Sequence, residues 1–420
     1  MFKVDRDTVA KNYNAAKKQY AAFGVDTEKV MEKFKTIPIS LHCWQGDDIA
    51  GFEKTDAISQ NVVTGNYPGK ATTPEQLRQD IEKVFSFSPA KRRLSLHSIY
   101  AEPKTPVSRD NLTPDDFSGW MNWGKQNSCA LDFNGSFFAH PMMKDGLSLS
   151  SPDKKVREFW IRHAKSCRTI AAEMGKVQGS TCFNNLWIPD GLKDSPANRL
   201  YFRQLLKDSL DDIFSQKVDK KHTWDSLECK LFGIGTESFV VGSHEFYMSY
   251  ALKNNVGVTL DSGHFHPTEY IGDKLSSLAL FFEYIVLHVS RGVRWDSDHV
   301  VTFNDETTGI MNEIKRGGLL DRVKIGLDYF DASLNRVGAW TIGLRASGRA
   351  LLAAMLEPSD LLQKAETSWN FTERLAFMEE FKALPVGAVW DMVCAETGVP
   401  VGAEWIDSLR EYEAEVQSKR

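Results

Sequence analysis

Closely spaced cysteines are missing from this chain. Its six, at positions 43, 129, 167, 182, 229 and 394 of 420 residues, include no C-x-x-C pair. That excludes the common zinc-knuckle and dithiol redox motifs and predicts reduced, mostly buried thiols in a cytoplasmic protein. Long apolar runs are also lacking, so no stretch is suited to spanning a bilayer. The polar opening "MFKVDRDTVAKNYNAAKKQY" does not read as a secretory signal. Positive charge is not in excess: 51 Lys and Arg face 56 Asp and Glu, a net charge of −5. A general pull toward nucleic acid or an anionic membrane is therefore not expected. No G-x-G-x-x-G or Walker-type loop supports a nucleotide site, and no low-complexity tract or solenoid repeat is present. What is there is ordinary for a globular protein, 42% hydrophobic and 25% charged, and long enough to bury a large core without staples.

The recurring unit is a short apolar run ending in a polar residue, followed by an amphipathic stretch. Eight runs can be marked: "IPISLHCW" with His42, "RLSLHSIY" with His97, "CALDFN" with Asp132, "TCFNNLWIPD" with Asn184 and Trp187, "LECKLFGIG" with Glu228 and Lys230, "VGVTLDSGH" with Asp261, "YIVLHVS" with His288, and "VKIGLDYF" with Asp328. Short runs rich in β-branched and aromatic residues suit buried parallel strands. Segments such as "TPEQLRQDIEKVF" and "DKKVREFWIRHAKSC", opening on Thr or Asp caps, suit the helices between them. Eight such units predict an α/β protein of the (β/α)8 TIM-barrel class, in which chemistry gathers at the carboxyl ends of the strands. The expected division is an N-terminal helical segment over 1–35, the barrel over 36–345 and a C-terminal helical extension over 346–420. Such an extension packs on the barrel's outside or on a neighbouring subunit. The long, non-periodic loop after the first strand, Asp47 to Lys70, has the character of a lid.

Glu228, Asp261, His288 and Asp328 fall at the ends of the fifth to eighth strands. Three carboxylates and one imidazole make an oxygen-rich site suited to Mn²⁺, Mg²⁺ or Co²⁺ rather than to structural zinc. His264, with Asp296 and Asp298 of "WDSD", offers a second set that Asp261 could bridge. Asp-x-Asp in extended backbone would project both carboxylates to one side. Any one of these acids, taken singly, reads as well as a helix cap or salt-bridge partner. His266, Glu269 and His299 are best read as ordinary polar residues. Lys230, two residues past Glu228, would point into the barrel mouth, either stabilising a developing alkoxide or pairing with an acid. His97 and Trp187 could line a sugar pocket or be buried core.

The strings "LHCWQGDD", "TGNYPGKA", "NLWIPDG", "FGIGTES", "DSGHFHPTE", "HVSRGVRWDSDHVV" and "GLDYFDASLNR" resemble, in order and spacing, the signature blocks of the L-rhamnose isomerase family across nearly the whole chain. The resemblance implies a metal-dependent barrel enzyme, cytoplasmic and homotetrameric, that interconverts L-rhamnose and L-rhamnulose with two divalent ions, Mn²⁺ foremost and Co²⁺ or Mg²⁺ as substitutes. It makes Glu228, Asp261, His288 and Asp328 ligands of a structural ion, and His264, Asp296 and Asp298 ligands of a catalytic ion. It puts Lys230, His97 and Trp187 around the substrate. Lys230, Asp296 and Asp298 would be catalytic, the two acids orienting the group that carries a proton between O2 and O1. Phe52, Ile58, Val62 and Val63 of the long loop would face the sugar's C6 methyl. A metal-dependent nuclease on the same scaffold would need a basic groove that the charge does not announce. A non-catalytic sugar-binding protein would not need seven convergent ligand types.

Overall fold

The alternation of strand and helix closes into a ring. In the computed structural model, which describes residues 2–53, 65–231, 238–293 and 295–420 and gives the backbone alone at 295–297, eight parallel strands form a closed barrel in sequence order. They are β1 (Pro38–His42), β2 (Lys91–His97), β3 (Ala130–Asn134), β4 (Cys182–Trp187), β5 (Thr223–Glu228), β6 (Gly257–Asp261), β7 (Ile285–Val289) and β8 (Val323–Leu327). The (β/α)8 expectation holds, and each of the eight apolar runs carries or touches a strand. The fifth is displaced, since β5 ends at Glu228 and Lys230 already lies in the following loop.

Several helices start where the sequence supplies caps. Thr73 accepts a hydrogen bond from the Gln76 N–H with Pro74 at the first helical position, and Asp153 and Asn304 cap Lys154–Gln178 and Asp305–Arg316. The helix Lys154–Gln178 lies so close to the entry of β5 that a Cβ on Gly175 would come within 1.7 Å of the His222 carbonyl oxygen. Only glycine fits there. Helix Arg336–Leu356 follows β8, is buried on nearly every face and completes the ring. It spans the expected boundary at 345 without a break. Among the described residues no helix is long and apolar enough to cross a membrane. All six cysteines are free and buried, as their spacing predicts.

The barrel interior departs from the branched apolar layers usual in this fold. Its middle layer is small and polar: Ser40, Ser95, Asn134, Asn185 and Gly326 line a cavity of about 140 Å³ that reaches His288. Ser226 and Thr259 complete the layer, bonded to each other at 2.7 Å, with Thr259 donating to Asn185 Oδ1 at 2.8 Å. Below it Phe183, Trp224, Val286 and Tyr284 form a small apolar plug of their own. Asp132 sits at this level, bound by Arg93 through two 2.6 Å bonds and by Ser40 at 2.8 Å. It therefore does not mark the carboxyl end of β3, which continues to Asn134. Where most neighbouring strands pair at several positions, β1 and β8 meet at one, Ser40 with Gly326.

Candidate metal centre and active site

Residues of one strand face share a side at every second position, and this phase decides what reaches the barrel mouth. Glu228 ends β5, Asp261 ends β6, His288 lies next to the end of β7, and Asp328 follows β8. One ligand atom from each lies within 4.8 Å of all the others. His288 Nδ1 is 3.2 Å from Asp328 Oδ2, 3.4 Å from Glu228 Oε1 and 4.0 Å from Asp261 Oδ2. Glu228 Oε1, Asp261 Oδ2 and His288 Nδ1 are all buried, yet none makes a well-formed hydrogen bond with a described residue. Buried polar atoms are seldom left so. A hard divalent cation would satisfy all of them at once, so the residues present fit such an ion.

Electrostatics point the same way. Burial pushes Glu228 upward, but His288 and His264 outweigh it and hold the carboxyl well below its usual range. Asp261, with burial reinforced by Asp328 and Glu228, is pushed up to about 7. Burial lowers both imidazoles, but the surrounding carboxylates win: His288 is held well above its ordinary value and His264 is raised to about 10. The protein without its ions thus keeps protons where ligand lone pairs are needed. A raised pKa means the protonated form persists until the pH passes that value, so ion binding must displace protons and should tighten as pH rises. We expect Mn²⁺ loading to release protons and to strengthen from about pH 6 to about pH 8. Calorimetry in two buffers of different ionisation heat measures this, and pH-independent loading without proton release would contradict it.

Of the second expected set, His264 and Asp298 fall within the described residues. His264 lies beside the cluster: its Nδ1 donates to the Cys229 carbonyl at 2.9 Å and lies 3.1 Å from Glu228 Oε1. The "WDSD" stretch is one arm of a hairpin, Arg291–Val293 against Trp295–His299. Asp298 there has φ of 47°, so the backbone is left-handed rather than extended at that residue. The Asp298 carbonyl accepts from the Phe330 N–H at 3.2 Å, which sets the hairpin against the loop carrying Asp328. The Asp296 side chain lies outside the described residues, as do Ile58, Val62 and Val63. His266 bonds Thr268 at 2.8 Å and Glu269 pairs with Lys274 at 2.6 Å, the ordinary polar roles read for them.

Opposite the carboxylates runs a crescent of rings. Trp44 and His97 are 4.8 Å apart, His97 and Phe138 5.5 Å, Phe138 and Trp187 5.8 Å, and Trp187 stacks on His264 at 6.3 Å. Lys230, although past the strand, places its Nζ 5.3 Å from the Trp187 ring centre. Burial pushes His97 down to about 4, so it is neutral near pH 7. Asn184 faces away, donating to Asp225 at 2.8 Å. It is three residues from Trp187 and so on the opposite face of β4, whereas Asn185 points inward and donates to Glu228 Oε2. Sequence reasoning also missed Trp44, whose Nε1 donates to Asp328 Oδ1 at 3.0 Å, and Ser290, whose hydroxyl donates to Asp261 Oδ1 at 3.0 Å. Period-two counting back from Trp187 would have found Asn185. Trp44 lies in the string "LHCWQGDD", but nothing local to it points to Asp328 as its partner.

A family model described as L-rhamnose isomerase (RhaA) matches residues 7–420. An L-rhamnose isomerase of Rhodopirellula baltica is 50% identical over 414 residues, covering 98% of this chain and 97% of the relative. One of Salmonella paratyphi B is 50% identical over 410 residues, covering 97% and 98%. The chain belongs to the L-rhamnose isomerase family.

Proposed function

We propose that this isomerase interconverts L-rhamnose and L-rhamnulose in rhamnose catabolism, with two divalent ions per subunit, Mn²⁺ in the first place and Co²⁺ or Mg²⁺ as alternatives. The observation that carries the reading is the convergence of Glu228, Asp261, His288 and Asp328 on one point, facing a crescent of aromatic rings across the barrel mouth. Divalent ions held there would polarise the sugar's oxygens at C1 and C2. The chain does the rest. Asn185 and Trp44 hold Glu228 and Asp328 by donating to their second oxygens. His97, Phe138 and Trp187 offer ring faces and one neutral imidazole to an open-chain sugar. Lys230 supplies a cation for a developing alkoxide, and Asp296 and Asp298 orient the group that moves a proton between the two oxygens.

The test is ketose formation from a panel of aldoses, with and without EDTA. L-Rhamnose should be converted most efficiently and only without chelator. A protein that converts another aldose better, or cleaves an abasic duplex, has a different function. We further propose a cytoplasmic homotetramer. The segment from Trp369 through the helix Phe371–Lys382 supports assembly: that helix buries none of its residues, and Trp369, Phe371 and Leu375 are exposed. Light scattering on the purified protein decides it.

A further inference from the structure

Arg109 belongs to no strand and touches no metal-ligating residue, yet it is 1% exposed. Its guanidinium is used on every side. Nη1 donates to the carbonyls of Ser136 at 2.8 Å and Phe138 at 2.6 Å, and Nη2 to that of Ala139 at 3.3 Å. Nε and Nη2 both hold the Glu53 carboxylate, the former at 3.0 Å. The Arg109 carbonyl accepts from His163 Nδ1–H at 3.0 Å, and His163 Nε2 accepts from the Ser136 N–H at 3.1 Å. Those bonds fix a neutral tautomer, in keeping with burial holding His163 down at about 3. Backbone and side chain of one residue thus grip the loop after β3 from both ends.

That loop carries two of the groups that shape the aromatic crescent. Ser136 Oγ lies 3.1 Å from His97 Nδ1. Phe138 fills the space between His97 and Trp187. We infer that Arg109 is a positioning residue for the substrate-facing wall: by fixing the carbonyls of residues 136, 138 and 139 it sets Ser136 against His97 and Phe138 between His97 and Trp187. A planar fork with five donors can hold three carbonyls and a carboxylate at once, and a lysine ammonium cannot. The inference rests on the reading of His97 and Trp187 as sugar-binding.

The wall carries none of the four residues that converge as metal ligands, so on that reading its distortion should weaken ground state and transition state alike. For Arg109→Lys and Ser136→Ala we expect KM for L-rhamnose to rise about fivefold or more, the factor lost with one hydrogen bond, while kcat stays nearly constant. Binding of the non-isomerisable alcohol L-rhamnitol, followed by tryptophan fluorescence, should weaken by the same factor. An Arg109→Lys protein with wild-type KM and L-rhamnitol affinity, or one that loses kcat alone, overturns the proposal. If that variant does not fold, Ser136→Ala decides by the same two readouts. Should wild type neither convert L-rhamnose nor bind L-rhamnitol, the assigned substrate has failed. The wall is then tested on whichever aldose wild type does convert, with the same expected split.

Discussion

Exhaustive chelation is expected to lower L-rhamnose turnover by at least about a hundredfold, roughly 3 kcal/mol of barrier at about 1.4 kcal/mol per factor of ten. Without an ion, three carboxylates and one imidazole within 4.8 Å must share protons among themselves, and the charge needed to polarise the substrate is gone. The same treatment should lower the melting temperature. An ion at a hundred times its dissociation constant stabilises the fold by about 2.7 kcal/mol, and here it also relieves carboxylates buried side by side. Mn²⁺ or Co²⁺ should restore both properties. Turnover that persists in protein shown by elemental analysis to hold no metal would end the proposal.

Asp328→Ala and Asp298→Ala should fail differently. Asp328 accepts from Trp44 Nε1–H at 3.0 Å and faces His288 at 3.2 Å, so its loss removes a ligand and leaves the Trp44 N–H without its acceptor. Such a group costs about 1–3 kcal/mol. The metal-supplemented variant should melt near the temperature of metal-free wild type, and activity should fall with it. Asp298 sits in the hairpin after β7 and is not one of the four residues that the first ion would tie together. Its replacement should cut turnover by about a hundredfold or more, the size of a lost electrostatic contact in a transition state, with little change in melting. Differential scanning fluorimetry beside steady-state kinetics separates the two. Variants that match in both readouts would show that the division into a structural and a catalytic ion is wrong.

What could be read in the sequence follows from how each contact is encoded. Glu228, Asp261, His288 and Asp328 were legible because each ends, or nearly ends, a short apolar run, and parallel strands aim such residues at one mouth. Asn184 was mistaken for Asn185 because the run marks where a strand lies more clearly than which phase faces inward. Asp132 misled for a related reason: β3 continues two residues beyond it, leaving it among the buried ion pairs at the bottom. The placement of Asp298 depends on a left-handed residue in a hairpin, which no periodicity announces. Trp44 and Asp328 meet across 284 positions, and Arg109 reaches a loop about thirty residues away. Contacts of that kind leave no local trace.

The single register pair between β1 and β8 also bears on how the chain is made. β1 is synthesised among the first elements, but its partner at Gly326 leaves the ribosome only after nearly three hundred further residues. Through that interval one edge of β1 stays open, with unpaired backbone groups available to any passing strand. When β8 arrives, side chains add to the joining: Gln45 exchanges two bonds with the Asp331 backbone, Arg336 grips Asp48, and Trp340 donates to the His42 carbonyl. All of these partners come from the stretch just after β8, so closure awaits Trp340 as much as β8 itself. A nascent chain halted before that tryptophan should hold all eight strand segments but an unsecured seam between β1 and β8, a form exposed to chaperones and to aggregation.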